Sequence, residues 1–180
     1  AKNKVGYVNL IKLTSVAWCK GRYVKPRINW ELIKEHHEGL ICLSACLGGE
    51  VLQSLLKGDV QKAKDIAKQY QDLFGDDYYL ELQDHNLDEQ KRTNPQLIQI
   101  AKELGIKMVI TNDSHYLKRD DADMHDTLLC MQTNSDKDDP NRFHFANNEF
   151  YVKTTEQLRE AFKWMDGDTF NECIKNTVDI

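Results

Sequence analysis

Met108-Val109-Ile110-Thr111-Asn112-Asp113-Ser114-His115 is the stretch on which the fold reading rests. Three apolar residues and a threonine run together behind Gly105, as in a strand buried on both faces, and the run stops at polar residues. Gly105 closes a helical pattern with Leu97, Ile98, Ala101 and Leu104 on one side, read with Asn94 as its cap and Pro95 at its first position. Before it comes a second apolar run, Tyr78-Tyr79-Leu80-Glu81-Leu82. That run follows Gly75 and an amphipathic helix capped by Asp59, with Val60, Ala63, Ile66, Ala67, Tyr70, Leu73 and Phe74 on one face. Gly39-Leu40-Ile41-Cys42-Leu43 is a third run, earlier in the chain.

Strand and helix therefore alternate three times, at about 30 residues per unit, which is the signature of parallel βα units in an α/β domain. Function in such folds gathers at the carboxyl ends of the strands. Here those ends are Ser44-Ala45-Cys46, Gln83-Asp84-His85 and Asn112-Asp113-Ser114-His115. Parallel strands bring all three to one rim.

Outward from this centre, residues 5–20 space Val5, Val8, Ile11, Val16 and Cys19 as a first helix. Pro26 interrupts the chain, and Asn29 caps a short helix, Trp30 to His37. On the other side, residues 119–132 read as a helix and 134–148 as a polar surface loop. Glu149 to Val152 reads as a short strand. Thr154 and Gln157 form a capping box for a helix with Leu158, Ala161, Phe162 and Met165 inside. The expected organisation is residues 1–133 as the α/β part and 134–180 as an α-rich extension.

A chain of 180 residues can bury a sizeable core. Its net charge of -5 gives no electrostatic case for nucleic-acid binding by the bulk of the chain. No apolar run approaches the roughly 20 residues that span a bilayer, and no signal peptide is read at the start. Five cysteines without a CxxC favour a reduced, cytoplasmic setting. The first residue is not Met and the last helical pattern has no stop signal, so the sequence reads as a piece of a longer protein.

Asp113 and His115 are the sharpest chemical signal. Two ligand types at i and i+2 leaving a strand point the same way, and a carboxylate with an imidazole suits zinc, manganese or iron. Spacing alone leaves this level with an ordinary polar turn. Cys46 precedes Gly48-Gly49 and offers a thiolate, although a lone cysteine is more often a small core residue. Glu50 reads better as a first-turn helix carboxylate than as a group supporting the site. His85 reads as a ligand or proton shuttle, or as an exposed loop histidine, with the loop favoured. Lys25-Pro26-Arg27 is a basic turn that could meet phosphate or simply be solvated. Phosphate-binding glycine loops and a nucleophile elbow are absent.

Several segments in order resemble the polymerase and histidinol phosphatase (PHP) domain of bacterial DNA polymerase III alpha subunits. They are Ala1 to Leu10, Gly39 to Glu50, Tyr79 to His85, Thr111 to Tyr116, Asp139-Pro140-Asn141-Arg142 and Glu149 to Lys153. The resemblance implies a distorted βα barrel of which this chain holds only part, with metals clustered at the strand ends. Cys46 falls on the family's later Cys or His position, and Asp113 and His115 on its final Asp-x-His. Its N-terminal His-x-His has no counterpart in these residues. The resemblance implies a replicative DNA polymerase as parent, with zinc or manganese in the PHP site and magnesium in the polymerase site. The PHP role it implies is either 3′–5′ exonuclease or structural and partner-binding. DNA and replisome subunits are the implied partners, with no membrane. The chain alone is expected to be inactive and prone to self-association. The competing reading is a stand-alone metal-dependent phosphoesterase.

Overall fold

A computed structural model describes residues 1–180. Asn3 caps the first helix, α1 (Lys4–Cys19), its side-chain oxygen accepting from the Gly6 N–H at 2.9 Å. Only Gly6, Asn9 and Leu13 of this helix are buried. Asn29 likewise caps α2 (Trp30–Glu35) through the Leu32 N–H. The chain then turns at Gly39, whose φ of 72° lies in the left-handed region. That turn takes up residues expected to be strand, so β1 is only Cys42–Leu43.

Helix α3 (Glu50–Leu56) follows, then α4 (Val60–Phe74), with the Asp59 carboxylate bonded to the Lys62 N–H and Gly75 at its end. Strand β2 (Tyr78–Leu82) spans the residues expected of it. The next helix differs from expectation. It begins at Asp88, so α5 (Asp88–Leu104) holds Asn94 and Pro95 in its interior. Asn94 is no cap; it is buried, and its side-chain amide donates to the Gln83 carbonyl at 3.0 Å. Tertiary packing of the early turns outweighs the hydrogen bond that Pro95 cannot make.

Strand β3 (Lys107–Ile110) completes a parallel sheet in the order β1-β2-β3, an open sheet consistent with part of a PHP-type βα barrel. A 3-10 turn at Arg119–Asp121 leads into α6 (Ala122–Thr133). Residues 134–148 form the expected loop, held to α6 by a bidentate Arg142–Asp126 pair at 2.6 and 2.7 Å. The strand expected at 149–152 reduces to a single parallel bridge between Tyr116 and Tyr151. The Thr154–Gln157 capping box forms and starts α7 (Thr155–Ala161), and α8 (Gly167–Asp179) ends the chain.

The main core gathers Leu80, Leu82, Leu97, Ile100 and Ile110 with Val51 and Leu55 of α3, and takes in Phe162, Phe170 and Cys173 from residues 134–180. Helix α8 also closes the outer edge of β3. Asn176 donates to the Met108 carbonyl, and the Thr177 hydroxyl bonds both the carbonyl and the N–H of Ile110. An edge that would otherwise invite strand addition is thereby satisfied.

Candidate functional site

The three strand ends meet on one rim and are tied together by side chains. Ser44, after β1, is buried, and its hydroxyl accepts from the Glu81 N–H of β2 at 2.9 Å. The Glu81 carboxylate accepts from the Thr111 hydroxyl beyond β3 and from the Gln83 amide, which also donates to Thr111 at 3.1 Å. Glu81, Gln83 and Thr111 were not singled out from the sequence. A charged Glu81 inside an apolar strand was the available signal.

Asp113 and His115 do converge. Asp113 Oδ1 lies 3.1 Å from His115 Nε2, with the side chains 48% and 37% exposed. The Asp113 carboxylate thus faces the imidazole and does not fold back on its own backbone as in a polar turn. Asn112 turns the other way, its amide donating to the Tyr151 carbonyl and the Ser114 hydroxyl, both at 2.7 Å. The His115 ring rests against Phe145 at 4.6 Å and His125 at 5.6 Å between centroids.

His85 is not an exposed loop residue. It is 1% exposed, stacked on Phe150 at 4.7 Å and 3° between planes. Gln90 Nε2 approaches its Nδ1 at 3.2 Å and the Asp113 N–H its Nε2 at 3.1 Å. A neutral ring accepts at one of these nitrogens and a protonated ring at neither, so both approaches disfavour charge. Burial acts the same way and lowers the His85 pKa, with the Lys153 ammonium adding to it. Both ring nitrogens are turned to protein donors, one of them the Asp113 N–H.

Cys46 and Glu50 stand elsewhere on the rim. Cys46 is exposed and follows Ala45, whose φ of 65° is unusual for a residue with a Cβ. Glu50 is the first residue of α3, and its carboxylate accepts from the Tyr70 hydroxyl at 3.1 Å. β2 lies between β1 and β3, so the ends of the outer strands stand about 10 Å apart, two interstrand spacings. The fold therefore does not bring Cys46 onto the Asp113–His115 pair, and no cluster of three or more His, Cys, Asp or Glu side chains suited to a metal forms. The donor chemistry of Asp113 and His115 fits one side of a divalent ion and leaves its other positions to be filled. Lys25 and Arg27 are exposed on a tight turn, Arg27 over the Tyr23 ring at 5.2 Å.

Residues 1–85 match the PHP domain family. Along its whole length the chain is 45% identical to DNA polymerase III subunit alpha of Treponema pallidum and 42% identical to that of Thermus aquaticus. It is 50% identical over 89% of its length to the same subunit of Deinococcus radiodurans. The chain spans 15%, 15% and 12% of these three relatives respectively.

Proposed function

We propose that this chain, similar along its length to DNA polymerase III alpha subunits and matching the PHP domain family over residues 1–85, supplies one edge of a divalent-metal site within a replicative DNA polymerase. Asp113 and His115 are the proposed ligands on this edge. Cys46 belongs to the same rim and would be a further donor to the site. Zinc or manganese suits this mixed donor set, while magnesium serves the parent's polymerase chemistry. The ion, when bound, would activate water for phosphodiester hydrolysis, a 3′–5′ exonuclease step. The chain's own residues do the positioning. His85 holds the Asp113 backbone, and the Asn112 bond to Tyr151 fixes the turn between strand and ligand.

One observation carries this reading: a carboxylate and an imidazole in contact at the carboxyl end of a parallel strand. A structural, partner-organising role is the second reading, favoured by the absence of a third donor beside the pair. In either case the proposed setting is cytoplasmic, the proposed partners are DNA and replisome subunits, and residues 134–180 lead towards the polymerase core. A stand-alone phosphoesterase is disfavoured, since the whole chain aligns within much longer polymerase subunits.

The test is metal content of the full-length protein carrying this chain, measured by mass spectrometry after dialysis. Stoichiometric zinc or manganese is expected, with loss in Asp113→Ala and His115→Ala. No bound metal, with any nuclease activity unchanged in both variants, establishes the structural role. The 180-residue chain alone is expected to bind either ion only above micromolar concentration in calorimetry, because two donors make a weak site.

A further inference from the structure

A cleft of about 1040 Å³ lies in this structure, and neither Asp113 nor His115 lines it. Its walls come from the chain beyond β2, from α5, from Leu117 to Arg119, from residues 149–153 and from the end of α7 through Trp164. The whole chain is acidic, with 24 Lys and Arg against 29 Asp and Glu. The cleft reverses that balance, with five basic side chains against three acidic ones.

Trp164 is 43% exposed, yet its indole is fixed: Nε1 donates to Asp84 Oδ2 at 2.8 Å, and Asp84 is itself only 7% exposed. Phe162 lies beside the ring, 5.8 Å between centroids at 36°, and the indole lines the cleft; a ring anchored at its edge is suited to stacking, since little side-chain entropy remains to be lost. Around it, Arg119 pairs with Glu149 at 2.8 Å and Lys163 with Glu160 at 2.7 Å. Both cations are more than half exposed, so these pairs hold weakly and can yield to phosphate. Lys153 is different. Its side chain is 1% exposed, bonded to the Glu149 carbonyl and 3.5 Å from the Glu149 carboxylate, so its charge is taken up inside the wall, whereas Lys118, Arg119 and Lys163 are exposed.

We propose that this cleft binds single-stranded nucleic acid, stacking a base on Trp164 and holding phosphates on Lys118, Arg119 and Lys163. A single strand offers free base faces to an indole, whereas a duplex presents only base edges in its grooves. The volume is at the upper end for small-ligand clefts, about 300–1,000 Å³, which suits one or two nucleotides of a longer strand. The inference goes beyond the metal reading and does not depend on it.

Fluorescence anisotropy of a labelled ten-residue oligothymidylate, titrated with the 180-residue chain at about 50 mM salt, tests it. Saturable binding that weakens as salt rises is expected. Trp164→Ala should weaken it about fivefold or more, the lower end for loss of one base stack. The double reversal Lys118→Glu and Lys163→Glu, at exposed positions that leave the fold intact, should abolish it. Lys12→Ala, exposed on α1 and outside the cleft, should leave it unchanged. The proposal is overturned by absence of binding, by binding that survives the double reversal, or by binding lost only in Lys25→Glu with Arg27→Glu.

Discussion

At His85, a buried ring, a glutamine side chain and the main chain of the next strand end meet within hydrogen-bond distance. Replacing it by alanine removes the acceptor that one of these two donors, the Asp113 N–H or the Gln90 amide, finds on the ring, and opens a void beneath Phe150. His85→Ala is expected to cost about 2–4 kcal/mol in urea denaturation, from cavity formation plus an unsatisfied donor. In the full-length protein it should also loosen metal binding without removing a donor, since it acts through the Asp113 backbone. Wild-type stability in this variant would show that the rim is held elsewhere. Spacing of two made a convergence of Asp113 and His115 one of two equal readings, and the structure decided it by setting the two side chains 3.1 Å apart. The burial of His85 was not legible. Its neighbours Asp84 and Asn86 are polar, and the covering Phe150 lies 65 residues later in the chain.

Among the elements, α1 docks through glycine against glycine. A Cβ on Gly6 would sit 1.8 Å from the Gly39 carbonyl oxygen. The same contact is fastened by the Lys2 N–H to that oxygen at 2.9 Å and by the Asn9 amide to the Glu38 carbonyl at 3.0 Å. Gly6→Ala should therefore destabilise by about 1–3 kcal/mol through overpacking, read as a lower denaturant midpoint, while Gly167→Ala, with open space around it, serves as control. Equal midpoints for the two would refute the docking argument. Caps at Asn29, Asp59, Thr154 and Gly105 were readable because they are local hydrogen bonds or local backbone geometry. The start of α5 was misread because Asn94-Pro95 imitates a helix onset. The real onset at Asp88 has no side-chain cap and follows from packing of Gln90, Thr93 and Asn94 against the rim.

For the whole molecule, the interior holds several acids that must stay protonated. Burial pushes the Cys42 thiol up to about 11 and the Cys173 thiol up to about 12, and it raises the Tyr70 hydroxyl to about 12 with help from the nearby Glu50 carboxylate. These folded values exceed the unfolded ones, so their stabilisation is complete below about pH 9 and is lost as pH rises through 11 to 12. Each group removes at most about 1.4 kcal/mol per pH unit. Urea midpoints should fall between pH 9 and pH 11, and Cys173→Ala should flatten that fall even though it lowers stability overall. A midpoint that holds constant over this range would mean the thiols are solvated. The sequence by itself determined the alternation of strand and helix, the parallel βα units and most caps, because each follows from periodicity or from contacts within a few residues; it left Asp113 and His115 level between a pair of ligand type and a polar turn. Only the tertiary structure decided that Cys46 stands two strands away from that pair, that His85 is buried, that α8 seals the edge of β3, and that five cations line one cleft of an acidic chain. Those facts depend on which distant surfaces exclude water from one another, and no local pattern encodes that.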